Sequence, residues 1–289
     1  MTDLFETHEL EVPGARLAYD VQGDLATGGI PLLLIGSPMD ATGFRTLAGH
    51  FPDRTVVTYD PHGAGRSLRT DGRAETTPDD HASDLHHLID ALGVRQVDLF
   101  ASSGGAVNAL ALVSNHPEQV RTLVAHEPPL ADQVPDRVHL LAACEDIHRT
   151  YHQSGQGPAM AKFVALVMHQ GALPATYGDQ PAPDPTMFGL PAEDDGRRDD
   201  ALLGQNMRTC TSYVPDYAAL ANASTRIVIG YGDESGDEMA SRGGRGVARR
   251  LGLEPVRFPS HHAGFLGGEF GQQGDPVGFA ATLRDVLAA

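Results

Sequence analysis

The stretch Val97-Asp98-Leu99-Phe100-Ala101-Ser102-Ser103-Gly104-Gly105-Ala106-Val107-Asn108-Ala109-Leu110 decides the fold. An apolar run with the composition of a buried strand enters a group of small residues, and an apolar segment with the composition of a helix follows. A turn this sharp between a strand and a helix lifts one side chain above the edge of a sheet. We therefore predict that the turn presents a serine.

Two serines compete for the raised position. The residues two before and two after it must be small, because bulky ones clash in the turn. For Ser103 these residues are Ala101 and Gly105, whereas for Ser102 one of them is the bulky Phe100. Ser103 is therefore the predicted nucleophile, and a serine that only caps a glycine-rich turn is the alternative interpretation.

The helix after the turn gives the serine a chemical context. Backbone N–H groups at a helix N-terminus favour negative charge, so the amide of Gly104 is expected to stabilise an oxyanion that develops beside Ser103.

Two other turns contain glycine and follow predicted strands. The first lies in Pro31-Leu32-Leu33-Leu34-Ile35-Gly36-Ser37-Pro38-Met39, and the second in Tyr59-Asp60-Pro61-His62-Gly63-Ala64-Gly65-Arg66-Ser67. The second lacks both the third glycine of a dinucleotide-binding fingerprint and the lysine of a P-loop, so we interpret it as structural.

A pair of histidines follows the last predicted strand, in Pro259-Ser260-His261-His262-Ala263-Gly264-Phe265. A histidine on a loop above the sheet has a near-neutral pKa, which suits it to accept and return the proton of a serine. Adjacent loop residues seldom coordinate one ion together, and no supporting cluster of ligands is apparent, so we expect no metal.

Strand patterns alternate with helical ones along most of the chain, which is typical of an α/β fold with a mostly parallel central sheet flanked by helices. Predicted strands are 8–12, 16–21, 31–35, 55–59, 96–101, 121–125, 226–231 and 254–258. Predicted helices are 78–92, 105–115, 238–251 and 276–287. Four polar residues on the first of these helices are interpreted as its solvated face: His81, Asp84, His86 and His87.

The alternation stops after the strand that follows Ser103. We predict helices over 138–151, 158–169 and 201–213, with a long loop rich in Pro, Gly and Asp at 174–200. The chain is therefore expected to have a sheet-containing core in two parts, 1–130 and 223–289. A helical cap, here called the cap segment, is inserted between them at 131–222.

The order of these motifs resembles that of the α/β-hydrolase superfamily, from both ends of the chain and outside the cap segment. The family's serine turn is Gly-x-Ser-x-Gly, from which this chain departs by Ala101. The segment 31–39 is similar to the family's His-Gly-x-Pro, with Ile35 in place of histidine. This likeness implies that the backbone N–H of Ser37 is a second oxyanion donor.

The resemblance also covers the other two motifs. The turn 59–67 is similar to the family's Asp-x-x-Gly-x-Gly-x-Ser loop. Similar proteins carry Gly-x-His-x-Gly-Phe near the C-terminus, which aligns His262 with the catalytic base and leaves His261 as the alternative.

The resemblance leaves the acid of the triad open. Most members carry it after the strand before the last, and their Gly-x-x-Asp pattern places Ser235 there. A serine cannot stabilise an imidazolium as a carboxylate does. Asp233 and Glu234 are nearby candidates. One group of haloalkane dehalogenases carries a glutamate where this chain has Glu127, which we expect to be the acid unless it only caps the entrance to the cap segment.

Composition restricts the remaining function classes. The formal charge of −17 disfavours nucleic-acid and membrane-surface partners. The start of the chain lacks the pattern of a signal peptide, and no apolar run approaches the ~20 residues of a membrane span, so a cytoplasmic protein is expected. Cys144 and Cys210 form no CxxC motif and are expected to be buried and free of a disulfide.

The expected function is that of a serine hydrolase with a Ser103, His262 and Glu127 triad. It would cleave a carboxylic ester, thioester or lactone of a small, fairly hydrophobic substrate through an acyl-enzyme, without a cofactor. An apolar stripe in the cap segment suggests the hydrophobic substrate, although such stripes usually serve packing: Phe163, Val164, Leu166 and Met168. Dehalogenase and epoxide hydrolase chemistry is disfavoured, because those enzymes use an aspartate nucleophile.

Two other readings of the same fold remain open. One is a non-hydrolytic enzyme such as a C–C lyase, cyclase or perhydrolase, and the other is a degenerate ligand-binding member. The sequence does not fix the oligomeric state, and a homodimer is one possible assembly.

Overall fold

A computed structural model describes residues 5–289. The strands are β1 (Phe5–Val12), β2 (Ala15–Gln22), β3 (Leu32–Ile35), β4 (Val56–Tyr59), β5 (Leu68–Arg69), β6 (Val97–Ser102), β7 (Val120–His126), β8 (Arg226–Gly232) and β9 (Val256–Phe258). The α-helices are α1 (Arg45–Gly49), α2 (Pro78–Ala91), α3 (Gly104–Asn115), α4 (Arg137–Ser154), α5 (Gln156–Val167), α6 (Met207–Ser212), α7 (Tyr217–Ala221), α8 (Met239–Leu251) and α9 (Pro276–Ala288).

These strands form one sheet in the order β1-β2-β4-β3-β6-β7-β8-β9, with β5 paired to β2. The pairs β1–β2, β2–β4 and β2–β5 are antiparallel, whereas all pairs from β4 to β9 along the sheet are parallel. The predicted fold class, a mostly parallel sheet flanked by helices, is confirmed. Because the carboxyl ends of parallel strands meet at one edge, the loops after β3, β6, β7, β8 and β9 converge there.

Alternate residues of the central strands enter two separate hydrophobic clusters, because successive side chains of a strand point to opposite faces. One face packs against α2, α3 and α8 and includes Leu33, Ile35, Leu99, Ala101, Leu123 and Ala125. The other face packs against α1 and α9 and includes Leu32, Leu34, Phe100, Val124 and Phe258. Burial on both faces explains why these strands are continuous apolar runs in the sequence.

Between β7 and β8 the described chain contains α4 to α7 and no strand. A third hydrophobic cluster joins α4, α5 and α6 and includes Leu140, Ile147, Tyr151, Leu166, Leu203 and Met207. The loop 174–200 contains only two short 3₁₀ turns, at Tyr177–Asp179 and Pro185–Phe188. A π-helical turn, Ala201–Asn206, leads into α6, and the Asp200 carboxylate caps it by accepting from the amides of Leu202 and Leu203. The division of the chain at 131 and 222 stays a prediction.

The solvated face predicted for the helix 78–92 is wrong for two of its residues. His81 and Asp84 are buried in α2. His81 Nε2 shares a 2.8 Å hydrogen bond with Asn206 Oδ1, and Asp84 Oδ2 shares a 3.1 Å contact with Nδ1 of buried His62. Segments distant in sequence cover this face of α2 and supply its polar partners. The sequence pattern of the helix alone could not show them.

The turn 59–67 is held by ion pairs. The Asp60 carboxylate accepts from the Arg66 amide and side chain and from the Ala41 amide, and Arg66 also pairs with buried Asp20. These contacts agree with a structural role for the turn.

No helix in the part of the chain that the structure describes is long and apolar enough to cross a bilayer.

Candidate active site

The turn between β6 and α3 places Ser103 at the carboxyl edge of the sheet. Ser103 has φ 57° and ψ −127°, a conformation that non-glycine residues rarely adopt. Its amide donates a 2.9 Å hydrogen bond to the carbonyl of His126 at the end of β7. The carbonyl of Ser103 accepts from the Ala106 amide in the first turn of α3. These bonds fix the serine between two adjacent strands and the start of a helix.

Close packing of the turn against the loop after β3 explains its two glycines. A Cβ on Gly105 would lie 2.8 Å from Gly36 Cα, and one on Gly104 would lie 2.5 Å from the carbonyl oxygen of Ser37. Neither position therefore has room for a side chain. The same packing brings the backbones of Ser37 and Gly104 together beside Ser103.

Glu127 and His262 form the central polar contact of the site. Glu127 follows β7 directly, and its Oε2 accepts a hydrogen bond from His262 Nδ1 at 2.6 Å. Its Oε1 accepts from the Gly232 amide at 2.9 Å, at the end of β8. The Glu127 side chain is buried, whereas that of His262 is 34% exposed. A buried carboxylate thus holds the imidazole through Nδ1 and leaves Nε2 available.

Electrostatics couples the two residues. Burial alone would raise the pKa of Glu127, but the hydrogen bonds from His262 and Gly232 outweigh it and lower the pKa to about 2. Burial opposes protonation of His262, yet the bond to Glu127 and the charges of Glu127 and Glu238 raise the pKa of the imidazole above its ordinary value. Glu127 therefore stays ionised and favours an imidazolium at His262.

Backbone strain is concentrated here. In residues 5–289, four non-glycine residues have positive φ, and Ser103, Glu127 and Ser260 are three of them. Ser103 and Glu127 are the predicted nucleophile and acid, and Ser260 lies two residues before His262. Strained backbone that surrounding structure holds in place is typical of functional sites.

The alternative residues lie elsewhere. Nδ1 and Nε2 of His261 bond to the Ala263 amide and the Gln273 carbonyl, respectively. Asp233 and Glu234 are exposed, and no hydrogen bond joins either carboxylate to His262 in the part that the structure describes. Ser102 is buried at the end of β6. The geometry thus joins His262 to Glu127 and ties the Ser103 backbone to His126, the residue before Glu127, and the catalytic roles of Ser103, His262 and Glu127 stay predictions.

His126 is a polar neighbour that sequence reasoning missed. Its ring is fully buried between Phe258 and Phe279, and the ring centroids of His126 and His262 are 6.1 Å apart. Neither ring nitrogen has a hydrogen-bond partner among the described residues, and burial lowers the pKa of this imidazole to about 4. His126 is therefore neutral near pH 7.

Within residues 5–289, one group has the types and spacing of possible metal ligands. Single ligand atoms of His126, Glu127 and His262 lie within 4.8 Å of one another. The short hydrogen bond between Glu127 and His262 already engages two of these three groups. A metal ion would have to replace that bond.

A cavity extends from Ser103 into the cap segment. Ser37, Ser103 and Gly104 line one part of it. The remaining lining is mainly apolar and includes Pro129, Cys144, Phe163, Leu166, Leu202, Met207, Cys210 and Met239. Of the apolar stripe predicted from sequence, Phe163 and Leu166 line the cavity, whereas the Met168 side chain is largely exposed. Both cysteines are buried free thiols, as expected.

Comparisons with known proteins agree with this architecture. A family model described as the alpha/beta hydrolase fold matches residues 31–165. An uncharacterized hydrolase of Bacillus subtilis, YraK, is 28% identical over 263 residues, which make up 89% of this chain and 89% of the relative.

Solved structures extend the likeness over nearly the whole chain. A thermophilic esterase from Thermogutta terrifontis is 18% identical with a TM-score of 0.66, and the match covers 98% of both chains. The enol-lactonase from Burkholderia xenovorans is 16% identical with a TM-score of 0.67, and the match covers 98% of this chain and 100% of the lactonase. The family model that matches residues 31–165, the order of the strands in the sheet and the likeness to these solved structures together show that this chain has the α/β-hydrolase fold.

Proposed function

We propose that this chain is a serine hydrolase that cleaves an ester-type bond, in a carboxylic ester, thioester or lactone, through an acyl-enzyme. The observation that carries the proposal is the buried Glu127–His262 contact beside the strained turn of Ser103, where an apolar cavity begins. An esterase and a lactonase among the structural relatives agree with it, although they show the fold alone.

The proposed reaction has two halves. Ser103 Oγ attacks the substrate carbonyl while His262 Nε2 accepts its proton, and Glu127 stabilises the resulting imidazolium through Nδ1. The backbone N–H groups of Ser37 and Gly104 donate to the oxyanion. His262 then protonates the leaving group. A water molecule, deprotonated by the same imidazole, attacks the acyl-enzyme and releases the acid.

The cavity favours an uncharged, compact acyl group. Among the described residues no charged side chain lines it, and the amide of Asn206 already has hydrogen-bond partners outside the cavity. Asn206 bonds to His81 and to the Ala201 carbonyl. A substrate carboxylate or ammonium would lose its hydration without gaining a partner, which is costly.

Turnover of matched esters tests the proposal. We expect p-nitrophenyl butyrate to be hydrolysed with a kcat/KM at least about 100-fold above that of the p-nitrophenyl hemisuccinate, because burying an unpaired charge costs several kcal/mol. Release of p-nitrophenol measures both rates. Equal rates would contradict the substrate class, and no hydrolysis of any ester or thioester would contradict the reaction.

The midpoint of the acidic limb of the pH–rate profile is expected above pH 6.5, because the pKa of His262 is raised above 6.5, the ordinary pKa of histidine. The base works only when deprotonated and its pKa is raised, so kcat/KM should fall as pH drops through that raised value. Glu238→Gln should move the limb to lower pH, because the Glu238 charge contributes to the shift. Asp237→Asn is the matched control, since exposed Asp237 pairs with Arg245 instead. An unchanged limb in Glu238→Gln, or an equal shift in the control, would contradict this assignment.

A further inference from the structure

The hydroxyl of Ser37 is buried beside the nucleophile and has no partner. Ser37 is 7% exposed, and its Oγ makes no hydrogen bond to any described residue. The residue also lines the cavity that begins at Ser103 and Gly104. A buried hydroxyl without a partner loses its hydration and gains nothing in return, so its presence at this position needs a reason.

The position of this side chain relative to α3 suggests the reason. Ser37 Cβ lies 3.4 Å from the point that a Cβ on Gly104 would occupy. The Ser37 side chain therefore adjoins the first residue of α3, whose amide faces the expected oxyanion. The next residue in the loop is Pro38, which has no N–H to donate. The residue after Ser37 therefore supplies no backbone donor, whereas the Ser37 hydroxyl can donate.

We propose that Ser37 Oγ–H is a third donor to the oxyanion, beside the amides of Ser37 and Gly104. This inference rests on the proposed function. The hydroxyl only donates a hydrogen bond, so no proton is transferred to or from it. No described residue bonds to it, and it gains a partner when negative charge develops on the carbonyl oxygen. Interactions that strengthen only in the transition state raise kcat rather than lower KM.

The test is Ser37→Ala, which removes the hydroxyl and keeps the backbone N–H. We expect kcat for p-nitrophenyl butyrate to fall about 10- to 100-fold with little change in KM, somewhat less than the loss of a main oxyanion donor. The melting temperature should stay equal or rise, because an unsatisfied buried hydroxyl has been removed. A purely structural role would lower the melting temperature instead.

Two matched variants complete the experiment. Ser37→Thr retains the hydroxyl and is expected to restore at least a tenfold higher kcat than Ser37→Ala. Thr58→Val removes another buried hydroxyl that has no partner among the described residues but lies on β4, outside the cavity lining, and its kcat should stay close to that of the unmodified protein.

The outcomes separate this inference from the proposed function. A kcat of Ser37→Ala within twofold of the unmodified protein, while Ser103→Ala is inactive, would overturn the role of the hydroxyl alone. Equal losses in Ser37→Ala and Ser37→Thr, with raised KM or lowered melting temperature, would also overturn it in favour of packing. An unmodified protein without ester turnover would instead contradict the proposed function.

Discussion

Replacing Ser103 with alanine is expected to lower kcat for p-nitrophenyl butyrate by at least about 10⁵-fold, the scale seen when a serine protease loses its nucleophile. The variant retains the cavity and the Glu127–His262 contact, so it loses the covalent step and keeps substrate binding. Initial rates at saturating ester measure the loss. Since the Ser103 side chain makes no capping hydrogen bond to α3, stability should change little.

Ser102→Ala is the matched control. Ser102 is adjacent in sequence and buried at the end of β6, so this variant removes a neighbouring hydroxyl without removing the expected nucleophile. It should retain most of the activity. The assignment of the nucleophile fails if Ser102→Ala is the inactive variant and Ser103→Ala is not.

Replacing Glu127 with glutamine is expected to lower kcat by about 10⁴-fold, as for the corresponding change in a serine protease triad. Glutamine has nearly the same shape but lacks the charge that stabilises the imidazolium. Its amide N–H can also donate to His262 Nδ1, which selects the tautomer protonated at Nε2 and leaves no lone pair for the Ser103 proton. Because the carboxylate is buried against His262, solvent cannot replace it.

Asp233→Asn and Glu234→Gln are the controls for this change. Both carboxylates are exposed, and each residue bonds through its backbone amide, Asp233 to the Phe258 carbonyl and Glu234 to the Ser260 carbonyl. The side-chain substitutions should therefore leave kcat nearly unchanged. A large loss in either variant, with an active Glu127→Gln, would return the acid to the loop after β8.

The sequence was most informative where local packing rules are strict. The small residues on both sides of Ser103 could be recognised because a sharp strand–helix turn excludes bulk, and Gly105 indeed lies against Gly36 with no room for a Cβ. Continuous apolar runs predicted the central strands, since strands buried on both faces leave no polar alternation. Both signals depend on residues near one another in sequence.

Features that depend on distant segments could not be predicted in the same way. Glu127 was a candidate for the triad acid because Ser235 stands where most similar proteins carry that acid. Its contacts with His262 and the Gly232 amide, however, depend on the register of β7 and β8. The buried state of His81 requires Asn206 of the cap segment, and the unpaired nitrogens of His126 require the aromatic packing of α9. The unpartnered Ser37 hydroxyl likewise appears only once α3 packs on the loop after β3.

Covalent labelling of the folded protein by a fluorophosphonate tests the central claim most directly. The reagent reacts with a serine only when a base has activated it. We predict a single adduct in the intact mass of the unmodified protein, mapped by peptide analysis to Ser103, with much slower labelling of His262→Ala and Glu127→Gln and none of Ser103→Ala. Absence of labelling in folded protein, or an adduct at any other residue, would contradict an activated Ser103.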